Sequence, residues 1–148
     1  MWVSRYAPDA AEPLAAAQLR TATVVDPAIV ELTRLRIAML LSNRGALRRD
    51  RNPAAVAAGL TEDKVGALAA WPSSPLFSET DRACLGLAEQ FVIDVSSVSD
   101  SLVAHVLEAL GPAGLYGYVQ ALWVLDMTQR LELSMNAAAA AASTEETP

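Results

Sequence analysis

The sequence predicts an all-α domain of about six to seven helices, and three observations predict it. Apolar residues recur at helical rather than alternating spacing. Helix starts are marked at Asp26-Pro27, Asn52-Pro53, Thr61 and Ser78. No stretch keeps the period-two pattern of a strand. At 148 residues the chain suggests one domain with room for a real core. It divides into a lead-in over 1–25, a helical domain over 26–135, and an Ala-rich helix extension with a disordered tail over 136–148.

The lead-in holds one short helix, at about 13–20, opened by Pro13. Asp26 caps the next helix and Pro27 takes its first turn, where a missing amide costs nothing. Val30, Leu35, Ile37, Leu40 and Leu41 put apolar groups on nearly every side of that helix, which marks it as central. Arg34 and Arg36 interrupt it and need polar partners, Glu31 among them. Ser42-Asn43-Arg44-Gly45 breaks the helix, and a short helical piece over 46–51 follows. Asn52-Pro53 starts another, which Gly59 closes in a left-handed conformation. Thr61 caps the next, with Glu62 and Asp63 at the positive end of its dipole. It ends near Trp71-Pro72. Ser78 and Asp81 form a near capping box for a helix whose buried face is Ala83, Leu87, Phe91 and Val92, with Cys84 and Ala88 beside them. Residues 93–99 read as a polar connector with extended character. A helix from Asp100 ends at Gly111, and Pro112 opens the longest one, to about Met135.

Composition excludes several classes of function. Hydrophobic residues make up 53% and charged ones 19%, with a mean hydropathy of +0.27. That is apolar for a soluble domain. Either the Ala and Leu of an all-helical protein account for it, or apolar surface is buried between subunits. A net charge of −6 argues against binding nucleic acid or anionic membranes. Cys84 is the sole cysteine and His105 the sole histidine, so an intramolecular disulfide, a Cys-x-x-Cys motif and a multi-histidine metal site are excluded. No cofactor is expected. The N-terminus lacks an apolar core of signal-peptide length, and the uncharged segment between Glu108 and Asp126 is too short and too interrupted to cross a bilayer. A cytoplasmic location is expected.

Four segments in this order resemble the carboxymuconolactone decarboxylase / AhpD-like superfamily: ELTRLRIAML at 31–40, AVAAGLTEDKVGALAAW at 55–71, FSETDRACLGLAEQF at 77–91, and the long helix carrying Asp126 and Gln129-Arg130-Leu131. The resemblance implies an all-helical domain that assembles into homo-oligomers: dimers, trimers or hexamers. It also implies a Cys-x-x-Cys-x-x-x-His motif between the first two segments, with an upstream Glu completing a proton relay. A reactive thiolate needs such a base and a second, resolving thiol. This chain departs from the motif. Counting back from Gly59 puts Arg44, Leu47 and Arg51 at its three positions. Counting forward from Glu31 puts Asn43, Ala46 and Asp50 there. Neither register supplies a cysteine or histidine, so a thiol peroxidase of the AhpD kind is not expected. Decarboxylase-type members usually keep a His here, which is missing as well.

The remaining candidates each have a plainer alternative. Glu31 could act as an acid or base beside Arg34 and Arg36, or the three could form a structural ion-pair network, which is favoured. Arg44, Arg48, Arg49 and Arg51 could bind a small anion, or could be a solvated turn or an intersubunit contact. Cys84 reads as a small core residue and His105 as a packed or partly exposed helix residue. Asp126 and Arg130, four apart, should pair along their helix. Trp123, Tyr116 and Tyr118 could line a pocket or a subunit interface, with core packing the default. The leading functional expectation is an oligomeric protein without the redox centre that holds a small anionic ligand. The alternatives are non-thiol chemistry on a carboxylated small molecule, with Glu31 as acid/base, and a scaffold acting through protein contacts.

Overall fold

The structure is a computed structural model that describes residues 25–145, with Asp9, Glu12, Pro13 and Ala16 of the lead-in. Apart from Pro13 and Ala16, the helix expected at 13–20 lies outside the described residues, as does the end of the tail from 146. Among the described residues there are six α-helices, two 3₁₀ turns and no strand. The α-helices are α1 (Pro27–Leu40), α2 (Arg44–Arg48), α3 (Pro53–Ala57), α4 (Glu62–Gly66), α5 (Glu79–Ile93) and α6 (Asp100–Glu145).

Each start follows from its capping residue. The Asp26 carboxylate accepts the Ala28 amide at 2.8 Å, Asn43 accepts that of Ala46 at 3.0 Å, and Asn52 that of Ala54 at 2.9 Å. The Ser78–Asp81 capping box is complete. Asp81 is buried there and also receives the Lys64 ammonium at 2.7 Å, which ties α4 to α5. Gly59 has φ of +95°. The connector 93–99 has the expected extended backbone at Asp94 and Val98, with a turn between them. Ile93 ends α5, and Asp94 caps a 3₁₀ turn over Val95–Ser97.

The reason α1 is apolar on nearly every side is that it divides two cores. One lies against α5 and α6 and includes Ile29, Ile37, Leu87, Val106, Tyr118 and Leu122. The other lies against α3, α4 and the 3₁₀ turn over Ala67–Ala70 and includes Leu32, Leu35, Leu60, Leu68, Trp71 and Phe77. On α5 the innermost residues are Cys84, Leu85, Leu87 and Ala88, whereas Ala83 and Phe91 are only half-buried. Tyr118 is fully buried where three helices meet. Its hydroxyl donates to the Cys84 carbonyl of α5 at 2.7 Å and accepts from the Thr33 hydroxyl of α1 at 2.9 Å. This leaves neither side-chain hydroxyl unpaired in an apolar core.

As expected, Gly111-Pro112 separates two helical arms, which are counted together as α6. Gly111 has φ 69° and ψ 175° there, and helix continues on both sides. The second arm runs on through the Ala-rich segment that follows Met135, to Glu145.

Candidate functional site

The region where the resemblance expects its motif is built by three elements. α1 stops at Leu41, and Ser42 turns the chain through φ of 54°. The Asn43 amide then closes back onto the Ala38 carbonyl at 2.8 Å. Asn43 and Ala46 consequently face inward, 2% and 1% exposed. Arg44 is exposed and Leu47 half-buried. The count forward from Glu31 thus falls on two buried positions, and the count back from Gly59 on an exposed and a half-buried one. In the forward count, Asn43 and Ala46 stand where the resemblance places thiols.

Glu31 is 4% exposed. Arg34, three residues on, occupies both its oxygens, with Nε donating to Oε2 at 2.8 Å and Nη2 to Oε1 at 2.6 Å. Its remaining nitrogen, Nη1, donates to the Ala46 carbonyl at 2.8 Å. All three guanidinium nitrogens are thereby engaged, and α2 is pinned to α1. From α6, Gln129 donates through Nε2 to the Arg34 carbonyl at 2.9 Å. Glu132, one turn further, accepts from Asn43 at 3.3 Å and pairs with Arg49. A connected polar chain thus runs Glu31, Arg34, Ala46, Asn43, Glu132, Arg49. The Gln129 side-chain oxygen is buried beside it and has no donor among the described residues.

The four sequence-predicted arginines do not converge. Arg49 is held by Glu132. Arg51 pairs with Glu62 at 3.1 Å and also donates to the carbonyls of Leu47 and Arg49. Arg44 and Arg48 are exposed on α2 and pair with no other described residue. Arg36 does not join Glu31 either. It donates to Glu89 of α5 at 2.5 Å, and the same carboxylate accepts the Trp71 indole at 2.6 Å.

Cys84 is fully buried. Burial, with a smaller contribution from the Asp81 charge, pushes its thiol up to about 12. A thiol held protonated is no nucleophile. His105 is exposed on the first arm of α6. Asp126 and Arg130 form the expected pair, both contacts at 2.8 Å, and Arg130 also reaches the Val92 carbonyl at 3.0 Å. Tyr116 and Trp123 depart from the core-packing default, at 68% and 61% exposed. Sequence reasoning missed Glu132 and Glu89. For Glu132 the available signal was its place one helical turn from Gln129.

The chain can be compared with known proteins on this basis. A solved protein of unknown function from Agrobacterium tumefaciens, described as a candidate antioxidant defence protein AhpD, superposes over 90% of this chain and 92% of its own, with a TM-score of 0.77. The fold is AhpD-like. Sequence identity is 15%, so the likeness is one of architecture. No family model and no curated protein matches the sequence. Among the described residues no group of three or more His, Cys, Asp and Glu could hold a metal ion. No helix there is long and apolar enough to cross a membrane.

Proposed function

We propose that this is a cytoplasmic AhpD-fold protein that works without thiol chemistry, assembles as a homo-oligomer and binds a small anion at the exposed face of α2. The observation that carries the first point is Arg34. It fills the space between Glu31 and the Ala46 carbonyl, where the resemblance expects a relay between a carboxylate and a thiol. With both oxygens of Glu31 on one guanidinium, neither is free to exchange a proton with a substrate, which counts against the decarboxylase- or isomerase-like alternative. Arg44 and Arg48 support the ligand reading. They are four residues apart, so they share one face of α2, and neither is spent on another described residue. The oligomer reading, and with it the protein-contact alternative, draws support from the exposed aromatics Tyr116 and Trp123 on α6.

Thermal shift with citrate, succinate and phosphate tests the ligand. A saturable rise in Tm that Arg44→Ala and Arg48→Ala each abolish, and that Lys64→Ala leaves intact, is the expected result. An unchanged Tm with every anion at about 100 times a millimolar Kd, where bound ligand contributes about 2.7 kcal/mol, defeats it. Hydroperoxide consumption with a dithiol reductant is expected to stay at background and to be unaffected by Cys84→Ala.

A further inference from the structure

Away from the arginine turn, α5 and the first arm of α6 enclose a cleft of about 590 Å³ that ends against Trp71. That volume lies in the range that holds small organic ligands, roughly 300–1,000 Å³. Its floor is apolar, from Gly86, Leu102 and the indole edge of Trp71. Gly86 keeps the floor open: a Cβ there would lie 3.6 Å from Leu102 Cδ2 and 3.8 Å from Trp71 Cη2, so one methyl group fits and a branched side chain would fill the gap.

The polar rim has a definite sign. Arg82 is the one cation among the described lining residues, and it is committed. Its guanidinium donates to the carbonyls of Trp71, Pro72 and Ser74 and lies 3.8 Å from Glu79. Glu108 and His105, one helical turn apart on α6, pair with no other described residue. The cleft thus offers free acceptors at its rim and no free cation. An anion would meet two carboxylates there. A cation would meet Glu108, with Glu79 opposite, while its apolar part covered Gly86 and Leu102.

We infer that this cleft is a binding site for a small organic ammonium ion with an apolar or aromatic body, distinct from the anion site on α2. The head group is recognised by Glu108 and the body by the Trp71–Gly86–Leu102 floor. The test uses 2-phenylethylamine and its near-isosteric anion 3-phenylpropionate, titrated into the isotopically labelled full chain by NMR. Saturable shifts at the Trp71 indole are expected with the amine, at a Kd on the order of 10⁻⁴–10⁻³ M, and at least tenfold weaker ones with the anion. Glu108→Gln is expected to weaken amine binding about fivefold to tenfold, and Gly86→Val to abolish it. Should Gly86→Val fail to fold, Glu108→Lys on its exposed helix position carries the test, with the same expected loss. Arg44→Ala is expected to leave the amine titration unchanged, which separates this site from the proposed anion site whichever of the two fails. Equal affinity for both probes, amine binding unaffected by Glu108→Gln, or no saturable shift at about 10 mM amine would overturn the proposal.

Discussion

Cys84 turns burial into a dependence of stability on pH. Its thiol ionises near 9.0 when exposed and near 12 in the native protein. Between those values the unfolded chain binds fewer protons than the native one, so stability falls as pH rises, by up to about 1.4 kcal/mol per unit. At pH 9.0 the slope from the thiol is about half its full value, and it fades over the unit below. Tyr118, buried and raised well above its ordinary 10.0, adds the same sign from about pH 10 upward. Urea midpoints between pH 8 and 11 should decline, and Cys84→Ala should flatten the first part of that decline. The native thiol should resist an aromatic disulfide reagent at pH 8 and react on unfolding. The Glu31–Arg34 pair gives a second prediction at this scale. Arg34→Met leaves a carboxylate stranded at a buried position and should cost roughly 3–5 kcal/mol. Glu31→Leu combined with Arg34→Met should recover most of that loss, because no charge is then stranded. A double-mutant cycle in urea measures the coupling, and single substitutions costing under about 1 kcal/mol would show that the pair is not holding α2 to α1.

Among the elements, α6 shows what local sequence can and cannot specify. Gly111 stands at φ of 69°, where a side chain is strained. The kink then brings Leu110 so close to Gly114 that a Cβ on the glycine would sit 2.7 Å from Leu110 Cβ. Gly111→Ala and Gly114→Ala should therefore each destabilise by about 1–3 kcal/mol in thermal or urea melts, although alanine is the better helix former. The sequence marked this point through Gly111-Pro112, just as Asp26, Thr61 and Ser78 marked helix starts, because caps and kinks depend on neighbours a few residues away. The apolar perimeter of α1 likewise revealed a central helix. The polar partners were hidden. Arg36 finds Glu89 across 53 positions and Asn43 finds Glu132 across 89, separations on which helical periodicity carries no information. The candidate site was legible as a segment, 31–51, and as a missing motif. That its arginines divide between Glu132, Glu62 and solvent depends on how α2 docks, which no local pattern encodes.

For the whole molecule, the surface left over by the fold bears on assembly. Tyr116, Val119, Trp123 and Leu131 recur at helical spacing along the second arm of α6, and all are exposed. Ile93, 67% exposed, and Val95 flank them across a hollow of about 610 Å³ that Trp123 also borders. A protruding indole beside a hollow on one face is self-complementary: a two-fold axis through it would place each copy's Trp123 in its partner's hollow. Each covered aromatic ring buries about 150–250 Å², so the stripe and its flank approach the roughly 800 Å² per partner of a standard interface. Tryptophan and tyrosine at the centre of such a patch are the residue types that carry most of the binding energy. The proposed assembly should therefore show in light scattering as a multiple of the 15.6 kDa chain at micromolar concentration. Trp123→Asp should reduce it to a monomer with unchanged helical content, whereas Leu76→Asp, on an exposed apolar residue outside the stripe, should not. A wild-type monomer at about 100 µM would remove the oligomer from the reading. An assembly of unchanged mass in Trp123→Asp would move the interface off α6 and leave the exposed aromatics to a partner other than a second copy.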